Sequence, residues 1–441
     1  MPELLHLRPP ATPNRADTRT ARAGRRHVAL LPRSEVTAFR VALTVVALAV
    51  VDDAYIDPEP GVTAGDHIVS GLVPLTLIAL LIGSASRLPN LLRGWLAIFA
   101  GALSIVGGAT DGVRHILVDG LSGDDVTAVL AGLAGVVLVL IGIATLWRTR
   151  GTGGSRLGRA AIGVAVLASA VLIVLPTTIA IIATHKARSP ATSVSLGRPY
   201  ESVSLMTSDG LKLRAWYVPS RNGAAVIAFP GRSQPAAHAR MLARHGYGVL
   251  LLDRRGEGAS EGDYNAFGWG GEPDLRAAIG FLQRRPDVHP HRIGGLGLSV
   301  GGELLLQTAA HTHDLRAVVS EGAGQRSVAE HLDNPELGSV QHWFTGMLAQ
   351  TAAVAVLSNH SPPEGLTDLA ARIAPRPVLL IQAVHGNPDE ILNEVYNRAG
   401  GRSSALWRVA TGGHTGALAA LPAEYEQRVV GFFDRALLGE G

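Results

Sequence analysis

The sequence predicts two parts, a bundle of membrane-spanning helices followed by an α/β domain with a mostly parallel, doubly wound sheet. Three observations predict this division. The 441-residue chain combines a positive mean hydropathy with only 17% charged residues, which is unusual for a soluble protein of this length. Long apolar stretches fill much of the chain before residue 185. After residue 200, short apolar runs that predict buried strands alternate with helical patterns.

Composition also limits the chemistry. The chain has no cysteine, which excludes disulfides, thiolate catalysis and cysteine-ligated metals. The formal net charge of +3 is too small to indicate a nucleic-acid partner. His311 and His313 have a metal-ligand spacing but no acidic or cysteine partner, so we expect neither a metal nor a cofactor.

The first 35 residues carry seven arginines among prolines, threonines and alanines, without apolar periodicity, and predict a disordered basic tail. A membrane region at residues 36–185 follows. Its five apolar stretches are mostly near the ~20 residues that a helix needs to cross a bilayer. They lie at about residues 36–54, 67–83, 94–110, 126–147 and 160–183. Because Ala47-Leu48-Ala49 resembles a signal-peptidase site, the first span is either retained or cleaved.

Basic and acidic loops alternate along the membrane region. The loop at residues 52–66 has four aspartates and one glutamate but no arginine or lysine. Arg87 and Arg93 mark the next loop, aspartates dominate the third, and arginines between residues 148 and 159 mark the fourth. Short basic loops stay in the cytoplasm. The sequence therefore predicts a multi-pass protein of the cell membrane with a cytoplasmic amino terminus and an extracytoplasmic α/β domain.

The centres of the spans contain almost no ionisable residue, whereas a pump or ion-coupled transporter is expected to carry some. We interpret the spans as an anchor in the membrane lipid, with delivery of substrate from the lipid as a second interpretation. The oligomeric state stays open.

A polar linker at residues 186–199 leads to the α/β domain at residues 200–441. Two alternating runs around Ser208-Asp209-Gly210 predict an antiparallel hairpin. Further buried strands are predicted at residues 224–229, 248–253, 293–298, 317–320, 378–382 and 405–409. In such sheets the chemistry gathers at the carboxyl ends of the strands. The residues that follow each run are therefore the candidate site residues.

The pentapeptide Gly297-Leu298-Ser299-Val300-Gly301 lies between a predicted strand and a predicted helix. This G-x-S-x-G pattern is typical of a nucleophilic serine on a sharp turn, where small residues let the backbone bend. We therefore predict Ser299 as the nucleophile. The amides of Val300 and of Arg232, which follows the third strand, are candidate donors of an oxyanion hole.

The loop Asp253-Arg254-Arg255-Gly256-Glu257-Gly258-Ala259-Ser260-Glu261-Gly262 resembles the D-x-R-G-x-G-x-S-x-G loop of the α/β-hydrolase superfamily. With the serine motif and Thr411-Gly412-Gly413-His414-Thr415-Gly416, the resemblance covers about residues 200–438. It is greatest to bacterial esterase-like and peptidase-like members. The resemblance implies an α/β-hydrolase fold with His414 as the catalytic base.

The carboxylate that orients His414 has two candidates. Members of the superfamily often carry it as H-G-x-x-D, and His385-Gly386-Asn387-Pro388-Asp389 has that spacing, although it starts about three residues late after the strand. Either Asp389 or Glu390 can face the histidine. We favour Asp389 narrowly, and we expect the other carboxylate to cap the helix at whose amino end both lie.

Residues 325–372, between the sixth and seventh strands, are longer than a plain crossover needs and predict a small helical cap. Trp343 in this cap is a candidate substrate contact, with packing as the alternative. Glu321, directly after its strand, is a candidate for selecting a cationic substrate group, with helix capping or an ion pair as the alternative.

These residues predict a membrane-anchored serine hydrolase that cleaves an ester, thioester or amide bond through an acyl-enzyme, with carboxylic esters favoured. The expected substrate is a small molecule, a lipid or a peptide, and its identity is beyond the sequence. The alternative is a membrane protein whose hydrolase-like domain only binds a ligand or partner, since fold does not determine function.

Overall fold

A computed structural model describes residues 17–110, 123–149, 156–186, 194–334 and 344–439. Several sequence expectations fall partly or wholly outside these residues. They are the start of the basic tail, the third and fourth loops of the predicted membrane region, half of the linker, and the substrate contact at Trp343 in the cap.

The amino-terminal region is built from helices. They are α1 Asp17–Val51, which continues through the π-helical turn Asp52–Ile56, then α2 Ile68–Ser84, α3 Asn90–Gly108, α4 Gly123–Thr149, α5 Arg156–Ser169 and α6 Leu175–Thr184. A π-helical segment at Ala170–Val174 joins α5 to α6, so these two form one continuous rod.

Within the described residues, four helical stretches are long and apolar enough to cross a bilayer: Ser34–Ile56, Asn90–Gly108, Val126–Thr149 and Ala161–Thr184. The second predicted span is present as α2, but at 17 residues it is shorter than the ~20 that usually cross a bilayer. Four of the five predicted spans therefore have the required length.

Helix α1 begins at Asp17, well before the first predicted span. The helix that carries the first predicted span therefore already includes residues 17–35 of the predicted basic tail. Extending an existing helix costs far less than nucleating a new one, and the alanines and arginines of this stretch are good helix formers.

Glycines allow α3 and α4 to approach each other closely. A Cβ atom at Gly101 would lie 2.5 Å from the carbonyl oxygen of Gly135, and one at Gly108 would lie 2.6 Å from that of Ala128. Membrane helices approach this closely only where small residues line the interface. A Cβ atom at Gly107 would have nothing within 4 Å, so the close contact is confined to one face of α3.

The carboxyl-terminal region folds around an eight-stranded sheet. Its strands are β1 Glu201–Met206, β2 Lys212–Val218, β3 Ala225–Phe229, β4 Gly248–Leu252, β5 Ile293–Leu298, β6 Ala317–Glu321, β7 Val378–Ala383 and β8 Ser404–Val409. The order is β1-β2-β4-β3-β5-β6-β7-β8, with the pairs β1/β2 and β2/β4 antiparallel and all other pairs parallel. The predicted mostly parallel sheet of the α/β-hydrolase type is confirmed.

Helices cover both faces of this sheet. The helices of the carboxyl-terminal region are α7 Ala236–Arg244, α8 Glu272–Gln283, α9 Val300–His311, α10 Val328–Asp333, α11 Phe344–Ser358, α12 Leu366–Ile373, α13 Asn393–Gly400, α14 Ala417–Ala420 and α15 Pro422–Phe433. Of these, α11 packs against the amino-terminal bundle instead of the sheet. Successive strand residues point to opposite faces, so Ile227 and Leu250 lie in one apolar core while Val226 and Val249 lie in the other. The parallel strands are thus buried on both faces of the sheet. Their carboxyl ends lie together at one edge.

The amino-terminal helical bundle contacts the α/β domain at this carboxyl edge. In the loop after β4, the amide of Gly262 donates to the carbonyl oxygen of Pro60 at 2.9 Å, and the amide of Ala266 donates to that of Ala183 at 2.8 Å. Pro60 lies between α1 and α2, and Ala183 lies in the last turn of α6. These two points of the bundle are therefore on the same side as the α/β domain.

Candidate active site

Ser299 occupies the turn between β5 and α9. Its φ of 53° and ψ of −127° are unfavourable for a residue with a side chain, and they mark a sharply bent backbone. The amide of Ser299 donates to the carbonyl oxygen of Glu321 on β6 at 2.7 Å, which holds the turn against the sheet. A Cβ atom at Gly297 would lie 2.5 Å from the carbonyl oxygen of Gly301. The turn itself therefore requires a glycine two residues before the serine.

His414 reaches Ser299 from the loop between β8 and α14. Its Nε2 atom lies 2.9 Å from Oγ of Ser299. Gly322, after β6, lies against the imidazole, because a Cβ atom there would be 3.0 Å from Cε1 of His414. The His414 side chain is 30% exposed, so the ring is accessible from outside the protein.

The carboxylate beside His414 belongs to Glu390. Its Oε1 atom lies 2.7 Å from Nδ1 of His414 and accepts the amide hydrogen of Asn387 at 3.0 Å. Its Oε2 atom accepts the amide hydrogen of Ala383 at 2.9 Å, and the residue is only 1% exposed. Three donors thus hold one buried carboxylate in one orientation. With Nδ1–H directed at Glu390, Nε2 is free to accept the hydroxyl hydrogen of Ser299.

Asp389, the carboxylate favoured from the sequence, does not face His414. Its Oδ2 atom accepts the amide hydrogen of Gln325, at the start of the cap, at 3.2 Å. The expected division of roles is corrected as well, because Glu390 contacts His414 and also caps the 3₁₀ turn Pro388–Leu392 together with Asn387. Neighbouring side chains on a 3₁₀ turn point about 120° apart, so only one of the two carboxylates can face the histidine.

The hydrogen bond to Glu390 raises the pKa of His414 above its ordinary value, while partial burial and the charge of Arg232 act in the opposite direction. Glu390 therefore stabilises the imidazolium. This is the form in which His414 would hold a proton taken from the Ser299 hydroxyl.

Two backbone amides lie next to Ser299. Val300 is the first residue of α9, and the first amides of a helix have no partner within it. Arg232 follows Gly231, at which a Cβ atom would lie 3.1 Å from Cβ of Ser299, so the loop after β3 runs against the serine. In the described part of the chain, no backbone hydrogen bond occupies the amide of Arg232 or Val300. Both are available to an oxygen of a bound substrate.

Glu321 lies beneath the site, and both of its carboxylate oxygens accept hydrogen bonds from within the protein. Oε1 accepts the amide hydrogen of Ala417 at 3.0 Å, Oε2 accepts the hydroxyl hydrogen of Tyr425 at 2.7 Å, and the residue is 2% exposed. The expected selection of a cationic substrate group does not fit this position. The alternative, helix capping, does fit, because Ala417 is the first residue of α14. Glu321 therefore ties the end of the His414 loop to the sheet.

The sequence did not reveal the role of Glu303, a buried carboxylate that contacts the start of the cap. Glu303, in the first turn of α9, accepts the amide hydrogen of Gly324 at 3.1 Å and lies 3.5 Å from the guanidinium of Arg326. Burial raises the pKa of Glu303 to about 7. The only sequence signal was an acidic residue in a first helical turn, and such residues are common because they complement the helix dipole.

A second missed residue is Gly268, in the loop after β4. A Cβ atom at Gly268 would lie 2.7 Å from Cγ2 of Val300. The loop that contacts the amino-terminal bundle therefore also packs against one of the two candidate oxyanion donors.

Comparison with known families gives one match. The sequence model of the X-Pro dipeptidyl-peptidase (S15) family matches residues 183–408, slightly more than half of the 441-residue chain. The match includes Ser299 and Glu390 and ends before His414.

Individual relatives are more distant. The uncharacterized protein YfhR of Escherichia coli O157:H7 is 27% identical over 211 residues, which cover 44% of this chain and 64% of that protein. The polyketide transferase grgF of a Penicillium species is 33% identical over 130 residues, or 28% of this chain and 44% of that protein. The chain thus spans less than two thirds of both relatives. An esterase structure from Pyrococcus furiosus has a TM-score of 0.45 and 20% identity, covering 57% of this chain and 98% of its own.

Proposed function

This chain belongs to the X-Pro dipeptidyl-peptidase (S15) family, and from that premise we propose that it is a membrane-anchored serine hydrolase using Ser299, His414 and Glu390. One observation carries the proposal. Hydrogen-bonding distances join Oγ of Ser299 to Nε2 of His414 at 2.9 Å, and Nδ1 of His414 to Oε1 of Glu390 at 2.7 Å. Acyl transfer on this fold requires such a linkage, in the chain order serine, acid, histidine.

In the proposed mechanism, Oγ of Ser299 attacks the carbonyl carbon of the substrate while its proton passes to Nε2 of His414. Glu390 stabilises the imidazolium that forms. The amides of Arg232 and Val300 donate to the oxygen of the tetrahedral intermediate. His414 then gives the proton to the leaving group, and Ser299 is left acylated. A water molecule repeats the sequence on the acyl-enzyme and releases the acid.

Labelling with a fluorophosphonate probe tests the proposal. We expect the folded protein to be labelled at Ser299, and we expect His414→Ala to react much more slowly because the hydroxyl loses its base. Ser403→Ala, which removes a serine remote from the site, is the matched control. Labelling that persists in Ser299→Ala, or that is equal in His414→Ala and the parent, would favour the alternative of a ligand-binding domain without catalysis.

Carboxylic esters are the favoured substrates within this proposal. The carboxylate of Glu321 is 2% exposed and accepts hydrogen bonds from Ala417 and Tyr425, so it is not presented to a substrate amino group. The family match favours a second candidate, the release of X-Pro dipeptides from a peptide amino terminus. A panel of acyl esters and X-Pro amides, with Ser299→Ala as the blank, separates the two. Faster turnover of X-Pro amides than of all esters would support the second candidate.

The proposed orientation has a cytoplasmic amino terminus and an extracytoplasmic α/β domain. The alternation of basic and acidic loops supports it. The positions of two basic side chains in the bundle are consistent with this orientation. Arg93 donates to the carbonyl oxygen of Ala85 at 3.3 Å, and Arg148 pairs with Glu35 at 2.6 Å. These residues lie at the end of the bundle away from Pro60 and the α/β domain.

A further inference from the structure

Helix α11, the longest described helix of the cap, has the composition of a membrane segment. Phe344–Ser358 contains no acidic, basic or histidine residue. It packs against α6, the preceding segment Ala170–Val174, and α2. A cap helix that only covered a soluble active site would be expected to expose polar residues to water.

α11 runs beside the last span in the same direction. Val354 is buried in one cluster with Ala180 of α6 and Trp269. At the carboxyl ends, Leu357 and Ser358 line the same small cavity as Thr184. The other end of α11 reaches the segment Ala170–Val174, which lies near the middle of the apolar stretch Ala161–Thr184. A 15-residue helix is about 22 Å long, so α11 extends along half of a span without being long enough to cross a bilayer.

The outward face of α11 is apolar. Leu348 is 42% exposed, and Ala352, one helical turn later, is exposed as well. The neighbouring α6 exposes Leu175 and Ile182 by 46% and 48%. The two helices therefore present a shared apolar surface, and a surface of this kind on a span is normally covered by lipid.

The cap connects this apolar surface to the candidate active site at both ends. At its start, the amide of Gln325 donates to Asp389, the neighbour of Glu390, at 3.2 Å. After α11, the ring of His360 lies against the loop after β4, because a Cβ atom at Gly270 would be 2.3 Å from Nε2 of His360. The same loop carries Gly268, which contacts Val300 as described above.

The sheet itself faces the bundle. Ser299, Glu390 and His414 follow the carboxyl ends of β5, β7 and β8, and the hydrogen bonds of Gly262 and Ala266 to the bundle lie on this same edge. The candidate site therefore opens on the side of the domain that lies toward the membrane.

We propose that α11 is a re-entrant helix immersed in the adjacent lipid leaflet, and that the hydrolase takes an amphiphilic acyl ester directly from that leaflet. The proposal rests on the serine hydrolase function proposed above and specifies its substrate class. The scissile carbonyl would lie at the membrane surface beside Ser299, and the acyl chain would remain among the apolar side chains of α11 and the lipid.

The position of α11 is tested by spin labelling, which the absence of native cysteine makes simple. A nitroxide at Leu348→Cys in the full-length protein, reconstituted in vesicles, is compared with one at His291→Cys, which is exposed at the amino end of β5. We expect the Leu348 label to collide with oxygen and not with a water-soluble nickel chelate, and the His291 label to show the opposite. Collision of the Leu348 label with the chelate would place α11 in water, and collision with neither reagent would place it inside protein. Either result would overturn the proposal.

The substrate class is tested by hydrolysis of a fluorogenic long-chain ester. With the ester in the same vesicles as the protein, we expect at least about tenfold faster hydrolysis than with the ester in separate vesicles, since confinement to one membrane raises its local concentration. Leu348→Lys is expected to lower the rate in shared vesicles about tenfold, because a charge at membrane depth is costly, whereas Leu348→Met is expected to preserve it. Hydrolysis of a short, water-soluble ester by each variant serves as the reference.

Failure of this inference is distinguishable from failure of the proposed function. Equal rates in shared and separate vesicles, with Ser299-dependent hydrolysis of the soluble ester intact, would reject only the delivery of substrate from the leaflet. The proposed serine hydrolase function would stand. Loss of any difference between the parent and Ser299→Ala on both esters would reject the serine hydrolase itself.

Discussion

Glu390 and Asp389 are adjacent carboxylates with different partners, and substitution of each separates their roles. Glu390→Gln removes the charge beside the imidazolium and permits the wrong tautomer of His414, so we expect kcat to fall about 10³- to 10⁴-fold. Asp389→Asn retains an oxygen that can accept the amide hydrogen of Gln325, so we expect kcat to change by less than about tenfold. Steady-state kinetics with a soluble ester measures both.

The thermal unfolding midpoints of the two variants control for loss of fold. If Asp389→Asn were the more damaging variant at comparable thermal midpoints, the assignment of Glu390 as the orienting acid would be wrong.

The raised pKa of His414 predicts the pH dependence of catalysis. The histidine acts as a base only when neutral, so kcat/KM rises with pH through its pKa. The midpoint should lie above the ordinary value of about 6.5, because the hydrogen bond to Glu390 favours the protonated ring. Glu390→Gln removes this cause and should move the midpoint to lower pH. A pH profile of kcat/KM for the parent and Glu390→Gln measures the shift, and an unchanged or higher midpoint in the variant would contradict the predicted coupling.

At the level of residues, the positions of Ser299 and His414 could be predicted because each lies in a glycine-rich loop after a strand. The acid could not be chosen, because the choice depends on how one 3₁₀ turn is rotated against the His414 loop. The inward direction of Glu321 could not be predicted either. It depends on Tyr425 and Ala417, which approach the strand only after the chain has folded.

At the level of elements, the glycine contact between α3 and α4 gives a prediction with a matched control in the same helix. Gly101→Ala places a methyl group 2.5 Å from the carbonyl oxygen of Gly135, so the helices must separate. Overpacking of this kind costs about 1–3 kcal/mol. Gly107→Ala adds the same methyl group on a face with nothing within 4 Å.

We expect the thermal unfolding midpoint of the full-length protein in detergent to fall for Gly101→Ala and not for Gly107→Ala. Equal midpoints for the two variants would show that α3 and α4 do not approach each other as closely as described.

The strands were predictable as elements because buried parallel strands are short apolar runs between turn residues. The position of α11 was not. An apolar helical pattern has the same periodicity whether the helix packs as a cap or contacts lipid, so only its contacts with α6 separate the two. The early start of α1 was missed because arginine-rich composition indicates disorder, although the same residues extend a helix readily once it is nucleated.

At the level of the whole molecule, the contacts between the bundle and the α/β domain predict how many helices cross the membrane. Pro60 follows α1 and Ala183 ends α6, and both bond to the same loop of the α/β domain. In the membrane arrangement proposed above, both then lie on one side of the membrane, and we expect the chain between them to cross an even number of times. α3, α4 and the rod of α5 and α6 account for three crossings, which leaves α2 as the fourth.

Helix α2 is short for a span, but its position fits this role. The guanidinium of Arg40, near the start of the first apolar stretch, donates to the carbonyl oxygen of Ile82 at 3.0 Å. α2 therefore returns along most of the apolar stretch Ser34–Ile56. With α2 as a span, this arrangement predicts five crossings in all, with the start of α1 and the α/β domain on opposite sides of the membrane.

Reporter fusions test this topology together with the orientation set by the arginines. We expect alkaline phosphatase to be active when fused after Gly441 and inactive when fused at Arg87, with a cytoplasmic fluorescent reporter giving the reverse pattern. If α2 did not cross, Arg87 would share a side with Pro60 and the α/β domain, and the phosphatase would be active at both Arg87 and Gly441. If the phosphatase were instead inactive after Gly441 and active at Arg87, the number of crossings would stand and the arginine-based orientation would be wrong. The α/β domain would then take its substrate from the cytoplasmic leaflet.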